Sequence, residues 1–141
     1  MKAKDYLLQV HRLDTVINNK MAEISKWRSI ALGSTVSTEG ERVQSSGNKQ
    51  KMADAVCRYI SIEEEINADI DKLVDCKQEI IRTIEQLPLD EYDVLHKRYI
   101  QEMELYDIAA AADRSYSWAT WVHGRALANL QKILNERENN G

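Results

Sequence analysis

Two stretches of the chain repeat apolar positions in alternating steps of three and four. In residues 1–32, Val10, Ile17, Ile24 and Ala31 recur every seven residues, with Tyr6, Leu13, Lys20 and Trp27 interleaved. In residues 50–87, Met52, Tyr59, Ile66, Leu73, Ile80 and Leu87 recur every seven, with Val56, Glu63, Ile70, Lys77 and Ile84 interleaved. Such spacing puts each set on one face of a helix. A long helix with one apolar stripe has to cover it. The intervening GSTVSTEGERVQSSGNK (33–49) holds three of the five glycines, is dense in Ser and Thr, and reads as a flexible loop. The main expectation is therefore an antiparallel helical hairpin, coiled-coil-like. Pairing of the same stripes between chains, giving a homo-oligomer through the coil, buries the same residues and stays open beside it. Lys20, Glu63 and Lys77 at seam positions either set register and partner choice or lie in solvated parts of the seam.

The single proline, Pro88, marks the next boundary, dividing residues 1–87 from 88–141. Beyond it the pattern shortens into three helices. LDEYDVLHKRYI opens with Asp90, a good N-cap, and places Tyr92, Leu95 and Tyr99 on one face. LYDIAAAA gives Leu105, Ile108, Ala109 and Ala112 a shared face. DRSYS reads as a turn, with Ser115 and Ser117 both suited to cap the next helix. That last helix is expected from about Ser117 to Leu134, burying Val122, Ala126, Leu130 and Ile133, with Leu127 and Leu134 beside them. Two helices joined by a tight turn, with small alanines at their crossing, form the helix-turn-helix arrangement. The expected fold class is all-α: a long hairpin followed by a small three-helix helix-turn-helix unit.

Composition agrees with long helices: one Pro, five Gly and no Phe leave few of the signals that punctuate strands. No apolar run is long enough for a membrane span, and no signal peptide is evident, so a cytoplasmic protein is expected. Cys57 and Cys76 lie 19 residues apart on one predicted helix, roughly 28 Å along its axis, and are expected as free thiols. No CxxC or HxxxH spacing suggests zinc, and no glycine-rich phosphate loop occurs. His11, His96 and His123 fall on separate predicted helices without a nucleophile or acid at a recognisable spacing. No enzyme activity and no cofactor are expected.

LPLDEYDVLHKRYIQEMELYDIAAAADRSYSWATWVHGRALANLQKIL resembles the carboxyl-terminal helix-turn-helix domain of bacterial sigma factors. The matches are Leu87-Pro88, Arg98-Tyr99, Asp107-Ile108-Ala109, Ser115, and Arg125-Ala126-Leu127 with Leu130. The departures are Asp113 at the family's turn glycine, Gly124 inside the last helix, and an early apolar position that falls on Ala119 or one residue away. With the preceding coil, VQSSGNKQKMADAV (43–56) looks like small phage and prophage proteins grouped with RinA-like and ArpU-like late-transcription regulators.

The resemblance implies a DNA-binding transcriptional regulator acting with RNA polymerase at a late promoter. Its last helix would enter the major groove with its first two turns. The implied DNA contacts are Arg114, Ser115, Tyr116, Ser117, Thr120, Trp121 and Arg125, the arginines mainly to phosphate and Ser117 and Thr120 to base edges. Trp118 and Trp121 lie about 60° apart around the helix, so their surroundings are expected to differ. Residues 87–141 carry six Lys/Arg against nine Asp/Glu, so binding to double-stranded DNA is expected to be weak as a monomer. Residues 113–135 nevertheless hold three Lys/Arg against one Asp. Two further possibilities share the same features. One is the DNA-recognition small subunit of a phage packaging terminase. The other is a protein-interaction module that has the helix-turn-helix shape and binds no DNA.

Overall fold

A computed structural model describes residues 1–33 and 46–141, without the side chains of 46–48. The described chain is all helical: α1 (Ala3–Ala31), α2 (Ser46–Ile84), α3 (Leu89–Leu95), α4 (Leu105–Ala111) and α5 (Tyr116–Asn140). The loop expected over 33–49 lies for its greater part, 34–45, outside the described residues. No described helix is long and apolar enough to cross a membrane.

The chain forms two compact units that divide across α1 and α2 and not at Pro88. One is Met1–Arg12 with Leu73–Gly141, the other Leu13–Lys72. The reason lies in the core of the first unit. Leu7 and Val10 of α1, Ile80 and Ile84 of α2, Leu95 of α3, and Ala126 and Leu130 of α5 are buried in a single cluster. Burying a Leu or Ile side chain stabilises by about 1.5–3 kcal/mol. The first turns of α1 and the last turns of α2 therefore fold with the carboxyl-terminal helices.

Polar bonds fix the register inside this unit. Tyr6 donates to Glu79 and shares a 2.9 Å bond with Thr83, which itself donates to the Glu79 carbonyl. Arg137, near the end of α5, donates to Glu79 Oε1 at 3.1 Å and to Thr83 Oγ1 at 2.8 Å. One network thus joins α1, α2 and α5. Gln131 Oε1 accepts from Ala3 N–H at 2.7 Å, satisfying one of the amides that a helix start leaves without an intrahelical partner.

In the second unit the α1 and α2 segments run in opposite directions. Lys20 Nζ donates to Asp69 Oδ2 at 2.6 Å, and Arg58 to Glu23 Oε1 at 3.0 Å. Ile17, Ala55, Ile62 and Ile66 are buried here. The stripe predicted for α1 holds, but one of the two sets on α2 is displaced by one residue. Ala55, Ile62, Asp69, Cys76 and Thr83 face inward in place of Val56, Glu63, Ile70, Lys77 and Ile84, although Ile84 is itself buried in the first unit. The cause is polar. Asp69 and Thr83 are seam residues because Lys20 and Tyr6 satisfy them.

Candidate nucleic-acid interface

The candidate surface is built by α3, α4 and α5. Pro88, with its fixed backbone, precedes α3, whose first residue is Leu89. Asp90 is therefore not the cap that its place in the sequence suggested. It sits inside the first turn. The helix ends in one widened turn, His96–Ile100, where Gln101 N–H reaches back five residues to His96 O at 3.0 Å. Glu102 then adopts φ 57°, which turns the chain toward α4.

Four residues separate α4 from α5. Asp113 takes φ 56°, the left-handed conformation that glycine adopts at no steric cost. Its N–H donates to Ala110 O at 3.1 Å, and Arg114 N–H donates to Ala109 O at 2.9 Å. These are the two bonds of a Schellman helix end. Asp113 thus closes the end of α4 in a conformation that glycine most readily takes. Ser115 caps α5, its hydroxyl accepting from Trp118 N–H at 3.1 Å, and Ser117 lies within the first turn of the helix. Beneath, Val94, Ile108 and Val122 form a small core, with Met103, Leu105 and Trp118 packed against it. Ala119 is fully buried. Leu134 is buried where Ile133 was expected, Ile133 being only half-buried.

The predicted contact residues come together on one surface. Arg114, Ser115, Tyr116, Ser117, Thr120 and Trp121 are all exposed at the start of α5. The two tryptophans differ as their angular separation requires: Trp118 packs on the core, whereas Trp121 is 59% exposed. Gly124 is exposed next to them, and a Cβ placed there would meet no atom within 4 Å.

Arg125 is the exception among the seven. Its Nε donates to Glu91 Oε2 at 2.9 Å and its Nη2 to Asp90 Oδ2 at 2.6 Å. Its guanidinium carbon lies 4.3 Å from the centre of the Trp121 ring. Asn129 supplies a further bond to Glu91 Oε1 at 2.7 Å. Glu91 is only 2% exposed, so a buried carboxylate is held between a cation and an amide. The charge of Arg125 is thus met within the chain, and its place is to pin α3 to α5. Sequence reasoning passed over Glu91 and Asn129. Glu91 looked like an ordinary acidic residue of a first turn, and only its spacing of four from Leu95 hinted at burial.

On its inner side α5 carries His123, stacked on Tyr99 at 5.7 Å between ring centres, with Tyr99 Oη 2.8 Å from His123 Nε2. Burial, and then the positive charges of Arg98 and Lys4, hold the His123 pKa below its ordinary 6.5; burial likewise pushes the Tyr99 hydroxyl up. Below pH 6.5 the unfolded chain therefore takes up a proton at His123 before the folded chain does. Stability falls as pH drops from 6.5 toward the lowered folded value. Urea-unfolding midpoints measured between pH 7.5 and 5.5 should decline for the unmutated protein and decline less for His123→Gln. Equal declines would place the titration elsewhere.

No curated protein and no solved structure matches the chain. One family model, described as a protein of unknown function (DUF1492), matches residues 32–132. The match takes in all of α2, α3 and α4, and it runs well into α5. The chain belongs to the DUF1492 family.

Proposed function

We propose that this protein is a DNA-binding transcriptional regulator of the phage type, acting with RNA polymerase through a helix-turn-helix formed by α4 and α5. One observation carries the proposal. Six of the seven residues named from the sequence are exposed where α5 begins: Arg114 in the tight turn after α4, Ser115 as the helix cap, and Tyr116, Ser117, Thr120 and Trp121 on the first turns of the helix. This is the surface a recognition helix presents to a major groove. Arg114 is the cation at its edge, with its guanidinium 5.6 Å from the Trp118 ring. Ser117 and Thr120 supply small polar groups suited to base edges. Because Asp90 and Glu91 neutralise Arg125, monomer binding is weak, and pairing of two chains through the coil would double the contacts. No catalytic role is proposed.

Gel shifts of the full chain against a randomised duplex pool, at rising salt, test this. Sequence-dependent enrichment at low salt is expected. Each phosphate contact contributes about 0.9 to the slope of log affinity against log salt. Arg114→Gln should therefore flatten the slope by about 1. Absence of enrichment at any salt would remove the DNA role. A protein-docking role for the same surface would then take its place, favoured by the exposure of the large Trp121 side chain. Discrete rings of eight or more subunits would instead favour the packaging role.

A further inference from the structure

We infer, on the DNA-binding role proposed above, that Trp121 reads thymine by packing its exposed ring on C5-methyl groups in the major groove. Three features of the surface lead there. First, Trp121 is the largest apolar side chain among the exposed residues that open α5, and Ser117, Thr120 and Gly124, also exposed, lie beside it on the helix. Second, the ring is held. The Arg125 guanidinium lies 4.3 Å from its centre, and Asp90 and Glu91 fix that guanidinium in turn. A ring held in advance loses less freedom on binding than a mobile one. Third, the neighbouring Gly124 leaves open space where another side chain would stand, so a groove wall can approach the ring closely.

The partner chemistry is set by the groove. Base edges there offer hydrogen-bond donors, acceptors and one hydrocarbon group, the thymine methyl. An indole entering the groove removes apolar surface from water only by covering that methyl or sugar carbons. Only the methyl distinguishes one base pair from another.

The test uses the duplex most enriched by the full-length protein from a random pool. Each thymine is replaced in turn by deoxyuridine, which deletes the methyl and leaves every hydrogen-bonding group. At one or two positions the replacement should weaken binding about fourfold, the effect of one buried methyl-sized group. Trp121→Ala should bind the thymine and uracil duplexes equally, and Trp121→Leu, which keeps an apolar side chain, should retain part of the discrimination. Helicity of both variants is checked by circular dichroism, and the unmutated protein's response to deoxyuridine needs no variant at all. If the protein enriches a duplex but no deoxyuridine weakens it, the inference fails while the DNA role stands. The same holds if Trp121→Ala discriminates as strongly as the unmutated protein, or if the enriched duplex has no thymine. If no duplex is enriched, both fall.

Discussion

Arg125→Ala is expected to destabilise the protein by about 3 kcal/mol, the low end of what removal of one partner from a buried ion pair costs. The loss centres on Glu91, which is 2% exposed and would keep only the neutral amide of Asn129 as a partner. A carboxylate left buried without a countercharge is among the costliest residues a fold can hold. The low end is appropriate because the Arg125 side chain is 36% exposed, so water reaches one side of the pair. Loss of the guanidinium's packing on Trp121 adds to the effect. At this chain length the unfolding midpoint should drop by roughly 6–12 °C.

A compensating substitution separates charge from packing. Glu91→Gln removes the carboxylate but keeps an oxygen that accepts from Asn129. Added to Arg125→Ala, it should restore about 2 kcal/mol, a coupling within the range found for contacting residues. Asp90→Asn, at the more exposed carboxylate, should restore less. Urea unfolding of the four proteins in each cycle measures both numbers. Additive losses, or a loss under 1 kcal/mol for Arg125→Ala, would show that the pair does not hold α3 to α5.

The same cluster shows what periodicity reveals and what it conceals. Helix positions, the short helices after Pro88 and most of the inward row of α5 were legible, because apolar residues at helical spacing mark a buried face directly. Asp69, Thr83 and Glu91 were not. Each is a polar residue at a buried position, and each is met there by a partner from another helix: Lys20, Tyr6 and Arg125 respectively. Those partners lie 49, 77 and 34 residues away, so no local pattern connects them. Selecting seam positions by apolarity therefore moved one set on α2 from Ala55 to Val56 and its successors. The exposed candidates on α5 were legible for the opposite reason. Ser117 and Thr120, small polar residues after a capping serine, need no distant partner to be placed on the surface. Arg125 failed that logic, since an arginine that looks available in sequence is claimed in the fold by two acids at the start of α3.

Two substitutions should make the protein more stable, and together they ask whether another molecule approaches α5. Gly124 lies within a helix, where glycine costs about 1 kcal/mol relative to alanine, and a methyl there meets nothing within 4 Å. Gly124→Ala should therefore gain about 1 kcal/mol. Asp113 holds φ 56°, and a left-handed backbone costs a residue with a Cβ about 1–2 kcal/mol. Asp113→Gly relieves that, less the entropy that glycine loses on folding, for a net gain of about 1 kcal/mol. The two sites share no hydrogen bond, so the gains should add to about 2 kcal/mol and raise the midpoint by roughly 4–8 °C. Duplex binding should then separate them. Asp113→Gly removes an acid beside Arg114 and leaves affinity undiminished. Gly124→Ala puts a methyl on the face shared with Ser117 and Thr120, and weakens a duplex seated closely against that face. A variant that is more stable and yet binds less tightly would mark Gly124 as a place of close approach. If Gly124→Ala binds as tightly as the unmutated protein, that face of α5 stands clear of the DNA.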